Sequence, residues 1–383
     1  MAKLSCLFPI YCHDRGIAHI FLSLCQQRSE SGIKTRMVVP NCDPSCRPPN
    51  LVEAVPQLLK WLYYKSSEAP KAMAEKRFLK DVKDFDALYL WPDVSPATFR
   101  KVKKYAKTIF IERINCYTGK AKDILDDAYS RLGVQPQPRI TDEMIQREDE
   151  EISLADFIFC PSPEVRKSYL ESGVPDRKLI STSYGPSPKR FPNISPNKLV
   201  SETVTVLFVG SICVRKGAHL LLRAWEKSGI KGRLMLCGQM EPIIAEICKD
   251  ILDRSDVIHQ DYTPDIAFAY GEADIFAFPS LEEGSPLVTY EAMANSLPIL
   301  TSPMGGGGIV RDGTDGIVVS PYDEEALVAS LQKLAGCAQL RARMGAAARQ
   351  QAEEFTWEKV ARRRAGFVLE RLDARSNKAL KAI

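Results

Sequence analysis

Short, continuous apolar runs alternate with longer helical segments through both halves of the chain. That alternation limits the possible folds more than any single motif does. Residues 4–10, 35–39, 86–91, 108–111 and 155–160 read as buried strands in the first half. Residues 203–209, 233–237, 256–259, 275–278, 297–301 and 316–319 read the same way in the second. Helical spacing appears over 17–31, 51–80 with an interruption near Pro70, 99–107, 120–154, 163–172, 218–227, 264–271, 324–335, 338–355 and 357–372. Strand, crossover helix and strand in repetition favour a parallel sheet with helices on both faces. Two such sets predict an α/β chain of two Rossmann-like, doubly wound parallel-sheet domains facing a cleft. A length of 383 residues also exceeds one ordinary core. The Pro-rich stretch 183–196 is the best boundary. The expected units are 1–195, 196–355, and a final helix, 356–383, packing back on the first unit.

Composition removes several classes. The formal net charge of +4 is too small to argue for a nucleic-acid partner. No run of about 18 apolar residues occurs, so no membrane-spanning helix is expected. Pro9 breaks the first apolar run, which makes a poor signal peptide and points to a cytoplasmic protein. Eleven cysteines without a secretory signal read as reduced thiols. Cys12, His13, Cys42 and Cys46 can be drawn as a zinc set, but no tight Cys pair meets a matching His pair, so no metal is expected. The first loop lacks the Gly-rich dinucleotide fingerprint, so no nicotinamide cofactor is expected. The segment 71–107 is basic, with Phe99, Val102 and Ala106 at helical spacing. It reads either as a solvated amphipathic helix on a sheet or as a peripheral contact with anionic lipid at the inner face of a membrane.

The chemistry concentrates in residues 279–294. The strand 275–278 stops at Pro279, and a polar loop follows. Ser285 suits a helix cap and Pro286 its first position. Free N–H groups at such an end attract phosphate. Glu283 and Glu291 can accept hydrogen bonds from hydroxyls. Phosphate and hydroxyl binding at one strand end point to a sugar nucleotide. Arg215 and Lys216 precede a second helix, and two cations beside helix N–H groups can stabilise a departing diphosphate. Taken alone, either pair also reads as a solvated loop. Glu112 and Arg113 lie just past another strand, where ligands bind in open parallel sheets, and read equally as a structural pair.

Ser280, Leu281, Glu282, Glu283 and Gly284, then Pro286 and Leu287, then Glu291, Ala292, Met293 and Ala294, resemble the two-glutamate signature of the retaining glycosyltransferases of family four, enzymes of GT-B architecture. Val209 and Gly210 with Arg215, Lys216 and Gly217 are similar to that family's phosphate loop. Gly238, Ala273 and Asp274, Asp312 and Gly313, and Phe355, Thr356 and Trp357 also fit. So do Ala155 and Asp156, Ser162, Gly173 to Pro175, and Tyr184 and Gly185 in the first half. The likeness covers about residues 150–370, and the first 110 residues follow only the general pattern.

The resemblance implies roles. Glu291 would bind ribose and Glu283 the transferred sugar. Arg215 and Lys216 would neutralise the leaving diphosphate. Backbone around Gly284, Ser285, Pro286 and Leu287 would hold the distal phosphate. Gly210, Ser211, Gly238 and Tyr262 would complete the donor site. The donor would be a nucleotide-diphosphate sugar acting as substrate, with no bound cofactor. The acceptor would be a saccharide, a lipid-linked molecule or a protein. Three departures stand out. Ser211 replaces the usual Arg, Gly16 stands where many members have a Gly pair, and the usual first-domain His is missing from the strand ends near Trp91 and Ile111. His13, Asp93 or Glu112 could stand there, with Gly16, on the acceptor side. Glu282 reads as a solvated or structural neighbour. The expected activity is retaining, metal-independent sugar transfer in cell-surface polysaccharide or glycoconjugate synthesis. The alternatives are an epimerase or phosphorylase on the same architecture, or a sugar-nucleotide-binding scaffold with decayed activity.

Overall fold

The computed structural model describes residues 1–26, 32–61, 63, 66–136, 138–186, 203–261 and 266–380. The expected boundary stretch 183–196 and Tyr262 fall wholly or partly outside these residues. Two parallel sheets form the framework. The first contains β1 (Ala2–Leu7), β2 (Ile33–Val39), β3 (Leu51–Glu53), β4 (Ala87–Leu90), β5 (Thr108–Glu112), β6 (Phe157–Cys160) and β7 (Leu179–Ser181), in the order β3-β2-β1-β4-β5-β6-β7. The second contains β8 (Val204–Val209), β9 (Gly232–Cys237), β10 (Val257–Gln260), β11 (Ile275–Phe278), β12 (Ile299–Thr301) and β13 (Gly316–Val318), in the order β10-β9-β8-β11-β12-β13. Strand order reverses beside β1 and beside β8, as in doubly wound Rossmann-like domains.

Continuous apolar runs make these strands because helices cover both faces. All four residues of β4 and all four of β11 are buried. Phe8 stacks on Phe21 with centroids 4.8 Å apart, and Trp91 meets Phe21 edge-on at 5.1 Å. Since every pairing is parallel, the loops after β1, β4 and β5 share one edge, and those after β8, β9 and β11 share another.

Several expectations are corrected. Residues 51–53 form the edge strand β3, and the helix Glu68–Lys80 starts later than expected, with Pro70 in its first turn, where no N–H is needed. The helix Pro96–Lys103 buries Phe99 and Val102, but Ala106 lies beyond it, exposed at φ 52°. In the same basic segment, Arg77 pairs with Asp81, Arg100 with Glu150 and Lys103 with Asp156. The glycine run 305–308, which in sequence alone reads as a flexible loop, is ordered in its first part as a helical turn. Ser302 caps the short helix Pro303–Gly306 by accepting from Gly305 N at 3.0 Å.

The helix Trp357–Leu380 returns to the first sheet. Its Arg364 donates to Glu112 at 2.7 and 3.1 Å and to Tyr89 Oη at 2.9 Å. The Tyr184 hydroxyl donates to Glu112 at 2.8 Å, and Tyr89 also bonds it. Glu112 is fully buried. Glu112 is therefore an interior ion-pair partner rather than an acceptor-side group. Nor does it pair with Arg113, which binds Glu148 and Glu151 at 3.4 and 3.0 Å.

Replacing Arg364 with Met strands a buried carboxylate. The expected loss is about 3–5 kcal/mol of unfolding free energy by chemical denaturation. The double variant Arg364→Met/Glu112→Gln should recover much of it. A loss within about 0.5 kcal/mol for the single variant, the scale of a surface change, would show that the pair does not anchor the helix.

Candidate active site

Two loops from the second sheet are pressed together. The loop 210–217 follows β8, and the loop 279–286 follows β11. Gly217 caps the helix Ala218–Ser228 at φ 69°. A Cβ there would stand 2.0 Å from the Pro279 carbonyl oxygen, so only glycine permits the approach. The Arg215 carbonyl accepts from Leu281 N at 2.9 Å and from Ser280 Oγ at 3.2 Å. Beside them Gly210 N donates to Cys237 O, and Gly238 N to Gln260 O, each at 2.9 Å. Ser211 is exposed.

These loops assemble a compact charge cluster. Lys216 Nζ is in direct contact with the Glu283 carboxylate. Arg215 Nη1 lies 3.1 Å from Glu282 Oε2 and 3.4 Å from Glu283 Oε1. Burial, and then the Arg215 charge, push the Lys216 ammonium down to about 7. Its contact with Glu283 favours the charged form. Glu282, read from sequence as a solvated or structural neighbour, is 1% exposed and holds Arg215.

Glu291 is buried on the helix Leu287–Ala294 and accepts from the Tyr270 hydroxyl at 3.1 Å. The helix begins one residue later than expected, with Pro286 as its N-cap. Ser285 does not cap it, because its Oγ bonds the Tyr290 hydroxyl at 2.8 Å instead. Leu287 is half-buried at the first turn.

The first domain closes over this cluster. The loop after β5 runs across 282–284, so a Cβ on Gly284 would lie 1.5 Å from Ile114 O. Cys116 Sγ donates to Glu282 Oε1 at 3.3 Å. Tyr129, on the helix Thr118–Ser130, donates to Glu241 Oε1 at 2.5 Å, and Glu241 Oε2 accepts from Val214 N at 2.9 Å. His13, Gly16 and Asp93 are exposed at the carboxyl ends of β1 and β4, with Asp93 at φ 70°. The Cys42 and Cys46 sulfurs lie 3.9 Å apart. Among the described residues no group of three His, Cys, Asp or Glu is arranged to hold a metal ion.

The structure thus brings Arg215, Lys216 and Glu283 together, makes Glu282 a structural partner of Arg215, and adds Tyr270, Glu241, Cys116 and Tyr129, which sequence reading did not place. Glu241 lies three residues past the strand-end Gly238, a position that could have drawn attention. Nothing local marks Cys116 or Tyr129.

Known proteins resemble this chain in part of its sequence and in its fold. Residues 203–336 match the family described as glycosyl transferases group 1. The chain is 31% identical over 178 residues to a D-inositol 3-phosphate glycosyltransferase of Corynebacterium kroppenstedtii, covering 42% of this chain and 39% of that one. It is 25% identical over 182 residues to the capsular polysaccharide biosynthesis glycosyltransferase CapM of Staphylococcus aureus, covering 43% and 46%. These matches span less than half the length of either relative. Among solved structures, sucrose-phosphate synthase of Thermosynechococcus elongatus superposes with a TM-score of 0.68 at 19% identity, over 98% of this chain and 100% of that one. HepE of Anabaena in complex with UDP gives 0.71 at 13%, over 97% and 100%. The fold is the GT-B arrangement of two Rossmann-like domains.

Gly284→Ala should force the loops apart and cost about 1–3 kcal/mol, the range for overpacking. Thermal unfolding measures this against Gly271→Ala, an exposed helical site with open space around it. Equal stability of the two variants would mean that the Ile114 contact is not closed in solution.

Proposed function

We propose that the protein is a retaining glycosyltransferase that moves a sugar from a nucleotide-diphosphate sugar to an acceptor. The single observation that carries the proposal is the contact of Arg215 and Lys216 with Glu283 where the two domains meet. The family match over 203–336 and the glycosyltransferases among the relatives support the class. A UDP complex of a protein with the same fold supports a nucleotide donor.

In the proposed reaction the donor diphosphate displaces Glu283 from the two cations. Arg215 offers a fork and Lys216 a point charge to the oxygens that gain negative charge as the glycosidic bond breaks. Glu283, released, accepts from hydroxyls of the transferred sugar. Glu291, already a hydrogen-bond acceptor for Tyr270, accepts from the ribose. Gly210, Ser211, Gly238 and the backbone around Gly284, Ser285, Pro286 and Leu287 line the donor side. The departing phosphate takes the acceptor hydroxyl's proton on the same face, so configuration is retained and no side-chain base is needed. The two cations supply the charge at this point, so the proposal uses no metal and no bound cofactor.

The acceptor is proposed to be a saccharide, a lipid-linked molecule or a protein, approaching past His13, Gly16 and Asp93. Synthesis of a surface polysaccharide or glycoconjugate is the proposed setting. The proposed location is the cytoplasm, with peripheral contact at the inner membrane face through 71–107. Among the described residues no helix is long and apolar enough to cross a membrane.

Incubation with UDP-, GDP- and ADP-sugars and a broad acceptor pool should release nucleotide from one donor, with product configuration retained by NMR. No release from any donor would overturn the activity, and an inverted product would overturn the mechanism. Glu291→Ala should raise the donor Kd roughly 10- to 100-fold, the scale of a lost hydrogen bond to a charged group. Lys216→Ala should cut kcat about 10²–10³-fold.

A pH profile tests the second cation. Lys216 works protonated and is pushed down to about 7. The donor kcat/KM should therefore fall as pH rises through a limb near neutral, below the ordinary lysine range. In Lys216→Arg, which stays charged, that limb should vanish. A profile identical in both proteins would remove Lys216 from the titration.

A further inference from the structure

We infer that Glu241 and Glu282 are positioning residues that couple the cation-bearing loop 210–217 to closure of the first domain, with Tyr129 and Cys116 as the donors across the cleft. The inference rests on the proposed function for what the cations do, but the clasp itself is geometric.

Each carboxylate faces two ways. Glu241 offers Oε1 to the Tyr129 hydroxyl and Oε2 to the Val214 amide. Glu282 offers Oε1 to the Cys116 thiol and Oε2 to the Arg215 guanidinium. The two gripped residues, Val214 and Arg215, are consecutive, and Lys216 follows them. One is held by its backbone and the next by its side chain, which fixes both the path of the loop and the direction of its fork. Burial pushes the Cys116 thiol and the Tyr129 hydroxyl up, so both are protonated donors at neutral pH.

The two donors lie on one continuous stretch of chain. Cys116 lies one residue before Tyr117, the N-cap of the helix Thr118–Ser130, and Tyr129 lies near that helix's end. The next residue but one, Arg131, places its guanidinium 4.5 Å over the Tyr322 ring of the second domain. A rotation that lifts this helix therefore removes both clasps together. Charged acceptors make these bonds stronger than neutral ones. The carboxylates remain beside the loop when the domains part, but they lose the partner that fixes their orientation. Closure then sets Arg215 and Lys216 in place at the moment when the diphosphate leaves.

The test uses Tyr129→Phe, Cys116→Ala and the conservative Cys116→Ser, which keeps a donor at the same place. In hydrogen exchange, Val214 amide protection should fall about tenfold in Tyr129→Phe. In the transfer assay, Tyr129→Phe and Cys116→Ala should lower kcat roughly tenfold, the scale of about 1.4 kcal/mol, with the donor KM within about threefold. Cys116→Ser should keep most of the parental kcat. A purely structural role would lower Tm without this split and without rescue by serine. Unchanged Val214 protection, or equal kcat in Cys116→Ala and Cys116→Ser, overturns the coupling. Should the parent turn over no donor, the exchange experiment still decides the clasp, and the two failures stay distinct.

Discussion

The contact between Lys216 and Glu283 sets conditions that the surrounding structure must meet. Two cations and two carboxylates lie together at a site largely closed to water. Each charge taken from water costs several kcal/mol unless it is paired and its remaining hydrogen-bonding capacity is satisfied. The pairing needs loops that arrive from different strands at the same level. Parallel strands achieve this, because all their outgoing loops lie on one edge. Hence β8 brings the cations, β11 brings the carboxylates, and Gly217 lets the two loops touch.

A second buried pair, Arg364 with Glu112, explains how the first domain can be held over this cluster. Glu112 ends β5, and the loop that follows it reaches Ile114 and Cys116. The same carboxylate binds Tyr184, which lies just beyond β7, and Arg364, which lies on the final helix. One carboxylate therefore joins three distant stretches of chain directly behind the closing loop. The loop's outward reach toward Gly284 depends on that fixed base. The sequence separation between Glu112 and Arg364 adds no strength, but it lets the second domain be bracketed on both sides by chain bound to the first sheet.

Strands were legible in the sequence where burial on both faces produces unbroken apolar runs, as in β4 and β11. β3 was not, because three residues with a glutamate at the end carry no such run, and Pro70 was read as a break inside a longer helix rather than as part of its first turn. The glycines at 305–308 suggest freedom, yet Ser302 caps the turn they make. Around the site, Arg215, Lys216, Glu283 and Glu291 were legible because strand ends and helix starts are local features. The burial of Glu282 was not, since it comes from Cys116, 166 residues away. Ser285 was misplaced for a similar reason: its Oγ, which as a cap would accept from a helix amide, is bonded instead to the Tyr290 hydroxyl a turn further along. Glu112 has the position of a ligand group in an open sheet, and only the returning final helix turns it inward.

The cluster also has consequences for how binding energy would be used under the proposed function. With no donor bound, Glu282 and Glu283 neutralise the cations, so the closed site carries no bare charge. A diphosphate brings two negative charges where Glu283 brings one, and Glu283 stays nearby on the sugar, so Arg215 and Lys216 hold more negative charge once the donor is bound. Interaction that strengthens further as the bond breaks and charge grows on the leaving oxygens raises turnover rather than affinity. Glu282 does not leave Arg215 in this exchange, since its other oxygen is held by Cys116. Two adjacent glutamates thus differ in kind: Glu283 is exchangeable because both its partners are cations that a phosphate can take, and Glu282 is fixed because one of its partners belongs to the opposite domain.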